Sequence, residues 1–366
     1  MYLPEILNLR IVKTLFLPFL IILLFSSFSL YADISADTLT CTQKLNKAQK
    51  VYDAGNITEV EGLLSVCVES KAGFSKEEKM QALRLMILSY LFQDENEKAE
   101  QKLLALLKED PEYQLNPAID PAEFYQLYNS YRTVPVLNIG ILAGGNMTSG
   151  SEIKTYSIDN SNTNKPTYKS GYGFHAGITA DIHLYKQFQI NTGVILSFKN
   201  FTYQDSLLYG NYTYIQSKES QMWLDVPLAL KYNFGKKKLR PYIYAGGSFN
   251  LLVNANADFT RTNKDRSNAA DAGTEKMNDI RSSINYTALF GAGLRYKVGY
   301  GYMILDVRYT IGLRNVTDPA NRFSNSDGAN LFYYGYVSSD FSINNLAVSV
   351  GYLKSIYKPK KIKKKE

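Results

Sequence analysis

Residues 172–184 read YGFHAGITADIHL. The even-numbered positions of this stretch are aromatic or aliphatic, whereas the odd-numbered positions are polar or glycine. Because successive side chains of a β-strand point to opposite faces of the sheet, a two-residue period predicts a strand. This strand would have one apolar face and one polar face.

The same two-residue period recurs in seven further runs, at residues 137–143, 188–198, 222–232, 243–253, 284–294, 303–313 and 346–352. Several runs reach the roughly 9–11 residues that cross a bilayer at a tilt, whereas strands of soluble proteins average about 5–6. The strands alone do not exclude a soluble β-sandwich, which also alternates. Their length favours a membrane protein.

The connections between these runs also favour a membrane barrel. Short connections at 185–187, 235–238 and 298–301 alternate with long polar ones at 147–170, 205–218, 259–281 and 315–334. Aromatic residues gather near both ends of the strands, as they do at the two interfaces of a bilayer. We therefore predict an eight-stranded antiparallel transmembrane β-barrel over residues 134–357.

The polar face of the strands indicates what fills the barrel. Eight strands enclose a space that side chains can fill, and an unpaired buried charge is costly. We therefore expect opposite charges to pair inside a plugged barrel, which argues against a diffusive porin. The charged residues predicted to face inward are Asp181, Asp225, Lys231, Arg295, Asp306, Arg308 and Arg314.

Residues 33–133 have a different period. Their apolar residues recur at helical spacing and predict an all-α domain of helical hairpins. The hydrophobic, small and proline positions of its second hairpin resemble those of a tetratricopeptide repeat; the packing residues that carry this resemblance are Leu83, Tyr90, Ala99, Leu103 and Pro111. The resemblance implies peptide or protein binding, and a plain helical bundle without a ligand stays open.

The N-terminus predicts export. Arg10 and Lys13 precede an uncharged, largely apolar run from residue 14 to residue 31, and small residues follow. This is typical of a signal peptide, which we place at residues 1–32, although an uncleaved anchor helix stays open. In an oxidising compartment Cys41 and Cys67 could close a disulfide; two buried thiols are the alternative.

The formal charge of +7 does not indicate nucleic-acid binding. The last nine residues, 358–366, contain six Lys and one Glu, which leaves a net charge of +2 for the rest of the chain. The basic balance therefore comes from a tail and not from a basic face. We expect this tail to be solvated and disordered.

No motif of catalytic or cofactor chemistry stands out. The sequence has no phosphate loop, metal-spaced cluster or nucleophile elbow, and we predict no enzyme activity, cofactor or metal. His175 and His183 share one strand and would lie about 27 Å apart, too far to share a metal. Asp181 and His183 would share the inward face and could form an acid–base pair, but we interpret them as part of the interior polar network.

Three segments carry a family resemblance. They read DVPLALKYNF at 225–234, RPYIYAGG at 240–247 and NLAVSVGY at 345–352. They resemble small outer-membrane barrels of Bacteroidetes, the PorT-like or "outer membrane protein beta-barrel" family, over residues 134–357. The resemblance implies the fold and an outer-membrane location, and it links the chain to secretion by analogy only.

Three hypotheses of function follow. The first is a non-enzymatic barrel in outer-membrane lipid that anchors a helical docking domain for a periplasmic protein, as an accessory of an envelope or secretion machine. The helical domain and the C-terminal tail would then both lie in the periplasm. The second is a surface-binding barrel that acts through its long extracellular loops, and the third is a barrel-embedded hydrolase that uses Asp181 and His183.

Overall fold

The computed structural model describes residues 39–70, 73–158, 166–207, 213–235, 237–263, 270–323 and 329–362. The predicted signal peptide lies outside the described residues. The chain divides into two compact units between Glu109 and Asp110. Within the described residues, helices that are both long and apolar enough to span a membrane are absent.

The first unit is helical. Its helices are α1 (Cys41–Asp53), α2 (Glu59–Glu69), α3 (Lys76–Phe92) and α4 (Asn96–Glu109). Thr40 and Ser75 begin α1 and α3 with capping boxes, in which the hydroxyl accepts from a backbone N–H three residues later and the side chain there accepts in return. Such reciprocal bonds satisfy donors that a helix start leaves open.

The core of the first unit is built around α3. This helix contacts α1, α2 and α4, and it has buried residues around much of its circumference. The buried apolar side chains of the four helices include Leu45, Ala48, Val60, Leu64, Leu83, Leu85, Met86, Ile87, Ala99, Leu103, Leu106 and Leu107. A disulfide between Cys41 and Cys67 links α1 to α2, with the two Cα atoms 5.7 Å apart.

The second unit begins earlier than the predicted boundary at residue 134. It contains α5 (Ala122–Asn129) and the extended segments on both sides of it. The Tyr128 hydroxyl donates to the carbonyl of Tyr113 at 2.5 Å, and Glu112 forms an ion pair with Lys297 near the end of a barrel strand. Residues 110–133 therefore belong to the same unit as the barrel, and Glu112 ties this segment to the end of a barrel strand.

The second unit is dominated by β-strands. They are β1 (Leu137–Lys154), β2 (Thr167–Tyr185), β3 (Phe188–Leu207), β4 (Thr213–Asn233), β5 (Leu239–Asn263), β6 (Ala270–Lys276), β7 (Ile284–Val298), β8 (Gly301–Gly312) and β9 (Asp340–Ile356). Antiparallel pairing closes a ring of eight in the order β1-β2-β3-β4-β5-β7-β8-β9, with β9 returning to β1. The predicted fold class, helices followed by an eight-stranded antiparallel barrel, is confirmed.

Strand β6 was not predicted. It pairs with residues 256–262 of β5, beyond the part of β5 that pairs with β7. It therefore forms a hairpin with the end of β5 and does not belong to the ring. Its residues fall in the long polar loop predicted at 259–281, because β6 reads ADAGTEK and lacks an apolar face.

The two faces of the ring differ as the alternation predicts. Outward side chains such as Ile141 and Val350 are 66% and 62% exposed, whereas inward side chains such as Asp181 and Arg295 are 1% and 3% exposed. In a bilayer the outward apolar side chains contact lipid, and ring closure leaves no free strand edge there. The polar side chains fill the lumen.

The two ends of the barrel also differ. At the short-turn end β1 begins, β9 ends, and tight turns join β2 to β3, β4 to β5 and β7 to β8. Each of these turns contains a residue with positive φ: Lys186 at 51°, Gly235 at 72° and Gly299 at 56°. Such left-handed residues reverse the chain within a few positions. The opposite end is the long-loop end.

The long-loop end is more buried than its polar composition predicted. Among the described residues between β8 and β9, Val316, Tyr334 and Tyr336 are buried. The ring of Tyr334 stacks on that of Phe259, with centroids 4.9 Å apart. Aromatic side chains spaced irregularly along loops give no periodic signal, so this closure could not be predicted from the sequence.

The basic tail is partly ordered, which corrects the expectation of a disordered end. The N–H of Arg132 donates to the carbonyl of Lys360 at 2.9 Å, and the N–H of Ile362 donates to the carbonyl of Ser130 at 2.7 Å. Residues 360–362 thus run antiparallel to residues 130–132 at the end of α5. These are backbone bonds, which the composition of the tail does not reveal.

Candidate functional site

A buried ion pair lies in the lumen near the short-turn end of the barrel. Lys231 on β4 places its Nζ 2.7 Å and 3.0 Å from the two carboxylate oxygens of Asp181 on β2. Asn191 on β3 donates to the same carboxylate at 2.8 Å. The ammonium also lies 4.5 Å from the centroid of the Tyr242 ring. Protein groups therefore compensate each charge.

A second group lies around Asp225. Its carboxylate is 3.2 Å from Nζ of Lys199 and accepts hydrogen bonds from Ser197 at 2.7 Å and from Asn250 at 2.6 Å. Residues of β3, β4 and β5 meet here. The group joins three adjacent strands across the inside of the ring.

Asp306 on β8 accepts hydrogen bonds from two tyrosine hydroxyls. The Tyr242 and Tyr244 hydroxyls donate to its two oxygens at 2.8 Å and 2.7 Å. Nε of Arg308 in turn donates to the Tyr244 hydroxyl at 3.0 Å. The cation thus acts on the carboxylate through a phenol, which is a different arrangement from the direct pairing that we expected.

The prediction is wrong for Arg314. Strand β8 ends at Gly312, so Arg314 lies beyond the ring and is exposed. The apolar alternation continues past the strand to Leu313, and this extension placed Arg314 on the inward face. The other six predicted residues, Asp181, Asp225, Lys231, Arg295, Asp306 and Arg308, lie on strands of the ring.

A buried pair that was not predicted closes the long-loop end. Arg281 donates from Nε and Nη2 to the two carboxylate oxygens of Glu219, at 2.7 Å and 2.6 Å. The guanidinium also donates to the hydroxyls of Thr317 and Tyr336 at 3.1 Å and 3.2 Å. Such two-pronged contacts are strong and directional. They fasten the segment before β9 to the top of β4.

The structure separates the two residues of the hydrolase hypothesis. Asp181 bonds to Lys231 and Asn191, and among the described residues it forms no hydrogen bond with His183. His175 bonds through Nε2 to the Ser349 hydroxyl at 2.7 Å. Clusters of three or more potential metal ligands are absent from the described residues.

The packing residues predicted for the helical domain fall in two places. Leu83, Tyr90, Ala99 and Leu103 are buried in the core of the first unit. Pro111 corrects the prediction: it lies after α4, belongs to the second unit and is only half-buried.

A cavity of about 690 Å³ opens at the short-turn end of the barrel, and we call it the mouth cavity. Its walls include Glu112, Tyr357, Arg240, Tyr302 and Arg295. Glu112 accepts from the Tyr357 hydroxyl, and Nη1 of Arg240 donates to the Tyr302 hydroxyl at 3.0 Å. Burial, and then the bond to Glu112, raise the pKa of Tyr357, so its hydroxyl stays protonated.

Sequence reasoning did not find the mouth cavity. Its wall combines strand ends with residues 111–138, which the prediction assigned largely to a separate helical domain. The available signal was the run of cationic and aromatic residues at the three short turns. That run was interpreted as an interfacial belt, which has a similar composition.

Comparisons with known proteins point to the barrel. A family model described as "Outer membrane protein beta-barrel domain" matches residues 124–318. Among curated proteins, none matches the sequence.

Solved structures with similarity include three outer-membrane proteins. Neisserial surface protein A shows 13% identity and a TM-score of 0.28, with 60% of this chain and 97% of that chain covered. OprG from Pseudomonas aeruginosa shows 13% identity and a TM-score of 0.31, with 62% of this chain and 98% of that chain covered. The outer membrane protease OmpT from Escherichia coli shows 10% identity and a TM-score of 0.29, with 60% of this chain and 96% of that chain covered. Similarity at this level carries no functional information.

Proposed function

This chain belongs to the outer membrane protein beta-barrel domain family, and from that premise we propose that it is a non-enzymatic anchor in the outer membrane. The barrel sits in the lipid and holds the helical unit in the periplasm. There the helical unit docks a periplasmic protein, as an accessory of an envelope or secretion machine.

The observation that carries this proposal is the position of the barrel termini. Strand β1 begins at Leu137 and β9 ends at Ile356, and these two residues pair with each other at the short-turn end. Outer-membrane barrels have short periplasmic turns and long extracellular loops. With that orientation, both the helical unit before β1 and the tail after β9 belong to the periplasmic side.

The filled lumen supports anchoring over conduction. The Lys231–Asp181 pair, the Asp225 group and the Glu219–Arg281 pair lie at successive places along the inside of the barrel. Hydrogen-bonded charged side chains at these positions occupy the space that a diffusive pore would need. The barrel then serves to hold what is attached to it.

The helical unit has the attributes of an independent docking module. It has its own core and a disulfide, and it exposes two large apolar side chains, Phe92 at 75% and Val66 at 67%. Exposed aromatic side chains are typical anchors at protein interfaces. The tetratricopeptide-like hairpin of α3 and α4 supports the same role, since such hairpins bind peptides.

Crosslinking in intact envelopes followed by pull-down tests the proposal. The full-length protein should co-purify with a periplasmic protein, and a variant lacking residues 39–109 should reach the outer membrane but lose that protein. Phe92→Ser should weaken the crosslink, whereas Lys47→Ser, at an exposed position of α1, should not. The proposal fails if the deletion variant retains the same partner, or if full-length protein captures none.

A second candidate function rests on the long-loop end. Phe332 and Tyr333 follow one another and are 76% and 65% exposed, and Phe323 nearby in sequence is 66% exposed. Exposed aromatics on long loops suit a surface-binding barrel. Cells carrying Phe332→Ser/Tyr333→Ser should then lose surface binding while retaining the periplasmic crosslink, an outcome that separates the two candidates.

A further inference from the structure

The mouth cavity has the size of a small-molecule site. Its volume of about 690 Å³ falls within the roughly 300–1,000 Å³ of typical ligand pockets. One part of its wall is made by strand ends of the barrel, and another by Pro111, Glu112, Tyr128 and the segment 133–135. All of these residues belong to the second unit.

The charges on the wall are unbalanced. The described residues that line it include the cations Lys186, Arg240, Arg295 and Lys297 but a single carboxylate, Glu112. Glu112 is already engaged, since it forms an ion pair with Lys297 and accepts from a tyrosine hydroxyl. Among the described lining residues, four cations therefore stand against one carboxylate.

Arg295 is the most buried of these cations. It is 3% exposed, and its Nη2 donates to the side-chain oxygen of Gln189 at 2.8 Å. Among the described residues, Nε of Arg295 has no hydrogen-bond partner, and its guanidinium forms no ion pair with a carboxylate. Asp181 acts on it electrostatically but is bonded to Lys231. A buried guanidinium without a bonded anion is costly.

A second guanidinium lies close to the first. The centre of Arg240 is 5.3 Å, and that of Arg295 5.2 Å, from the centroid of the Tyr302 ring. Arg240 also acts electrostatically on Arg295, so the two like charges are close enough to repel each other. An anion bound beside both guanidiniums would offset that repulsion, and Nε of Arg295 would supply it with a donor that has no partner among the described residues.

The wall of the cavity also contains a hydrogen-bond acceptor that is not satisfied by a described residue. Oδ1 of Asn233 is buried and has no hydrogen-bond partner among the described residues. Asn233 lines the same cavity, and its amide nitrogen donates to the Gln187 carbonyl and to the Gln189 side chain. The free oxygen needs a donor from a ligand, and a hydroxyl group supplies one.

We propose that the mouth cavity binds a small oxyanion that also carries hydroxyl groups, such as a sugar phosphate or a sugar acid. Arg295 and Arg240 grip the phosphate or carboxylate, because the planar guanidinium donates in pairs to such groups. Asn233 accepts from a hydroxyl. This binding does not depend on the docking role proposed above, which concerns the first unit.

Calorimetry on the full-length protein in detergent tests the proposal with glucose 6-phosphate, glucuronate, glucose and inorganic phosphate. At least one of the two anionic sugars should bind, and glucose about tenfold more weakly or worse, because a charge-assisted hydrogen bond contributes on that order. Comparison of glucose 6-phosphate with glucuronate identifies the anion class. If inorganic phosphate binds as tightly as both sugars, the hydroxyl contact through Asn233 is refuted.

Matched variants locate the site. Arg295→Gln should weaken binding about tenfold or more, and Arg314→Gln, which removes the same charge from an exposed position outside the barrel, should change it less than about twofold. Heat-modifiable migration on gels reports whether each variant folds. If Arg295→Gln does not fold, the loss of binding is measured with Arg240→Gln instead, because Arg240 is less buried.

The proposal is overturned if neither anionic sugar binds more tightly than glucose. It is also overturned if Arg314→Gln weakens binding as much as Arg240→Gln does, since the effect is then one of net charge. Loss of the periplasmic crosslink has no bearing on either outcome, so the two proposals fail separately.

Discussion

Replacing Asp181 by leucine should destabilise the barrel substantially, because it leaves the Lys231 ammonium buried and unpaired. The two side chains are 1% and 4% exposed, and their charged atoms are 2.7 Å apart. Breaking a buried pair by removing one partner costs roughly 3–5 kcal/mol. The Tyr242 ring, 4.5 Å from the ammonium, stays in place and still attracts it. We therefore expect a loss near the lower limit, about 3 kcal/mol.

The double variant Asp181→Leu/Lys231→Met gives the comparison that isolates the charge. It removes both charges and keeps much of the volume, so it should be far less destabilised than the single variant. Asp271→Asn serves as control, because Asp271 lies on β6 outside the ring and is exposed. Its stability should match that of the wild type to within about 0.5 kcal/mol.

The free energy of unfolding can be measured by urea titration in lipid vesicles. Trp223 is the only tryptophan of the chain, it is 1% exposed in the lumen, and its indole nitrogen donates to Gln221 at 2.7 Å. Its fluorescence therefore reports opening of the barrel. A loss below about 1 kcal/mol for Asp181→Leu would refute the reasoning, since water must then solvate the ammonium and the lumen is not filled as described.

Three further predictions concern other parts of the chain. The variant Cys41→Ser/Cys67→Ser should reduce the free energy of unfolding of the helical unit by about 3 kcal/mol, as expected when a disulfide that closes a loop of 26 residues is lost. Circular dichroism during urea unfolding measures this loss, and the wild type under reductant serves as a check. Ser75→Ala removes a capping box and should cost the same unit about 1 kcal/mol in that assay. Glu219→Gln removes the carboxylate that pairs with Arg281, so the segment before β9 should open locally more often. Protease added outside vesicles should then cut this segment at least about tenfold faster than in the wild type. Unchanged cleavage would contradict the fastening role of the pair.

The parts of the fold that could be predicted share one property, which is a short period along the chain. Lys231 and Tyr232 fall on opposite faces of β4 simply because they are adjacent, so alternation assigned most inward and outward residues. The same reasoning failed where the alternation outlasted the strand, as at Arg314, and where a strand had no apolar face, as in β6. The helical core residues Leu83 and Leu103 were found for the same reason, since their spacing follows the helical period.

The candidate site depended on contacts between distant parts of the chain. Arg295 and Gln189 are 106 positions apart, and Glu112 reaches Tyr357 across 245 positions. Nothing in the local pattern around any of these residues marks it as part of a cavity. The assignment of residues 110–133 to the helical domain hid one wall of that cavity, because helix content indicates an element and not the body against which it packs.

By itself the sequence determined that the chain makes helices and then eight alternating strands, and that polar residues turn inward, because lipid outside the ring tolerates only apolar side chains. Only the tertiary structure decided which charges meet. The register between neighbouring strands places Lys231 beside Asp181 and leaves Arg295 at the mouth cavity without a bonded carboxylate. Register is a property of pairs of strands, and a one-residue shift would exchange the two faces of a strand, so no single stretch of sequence can encode it.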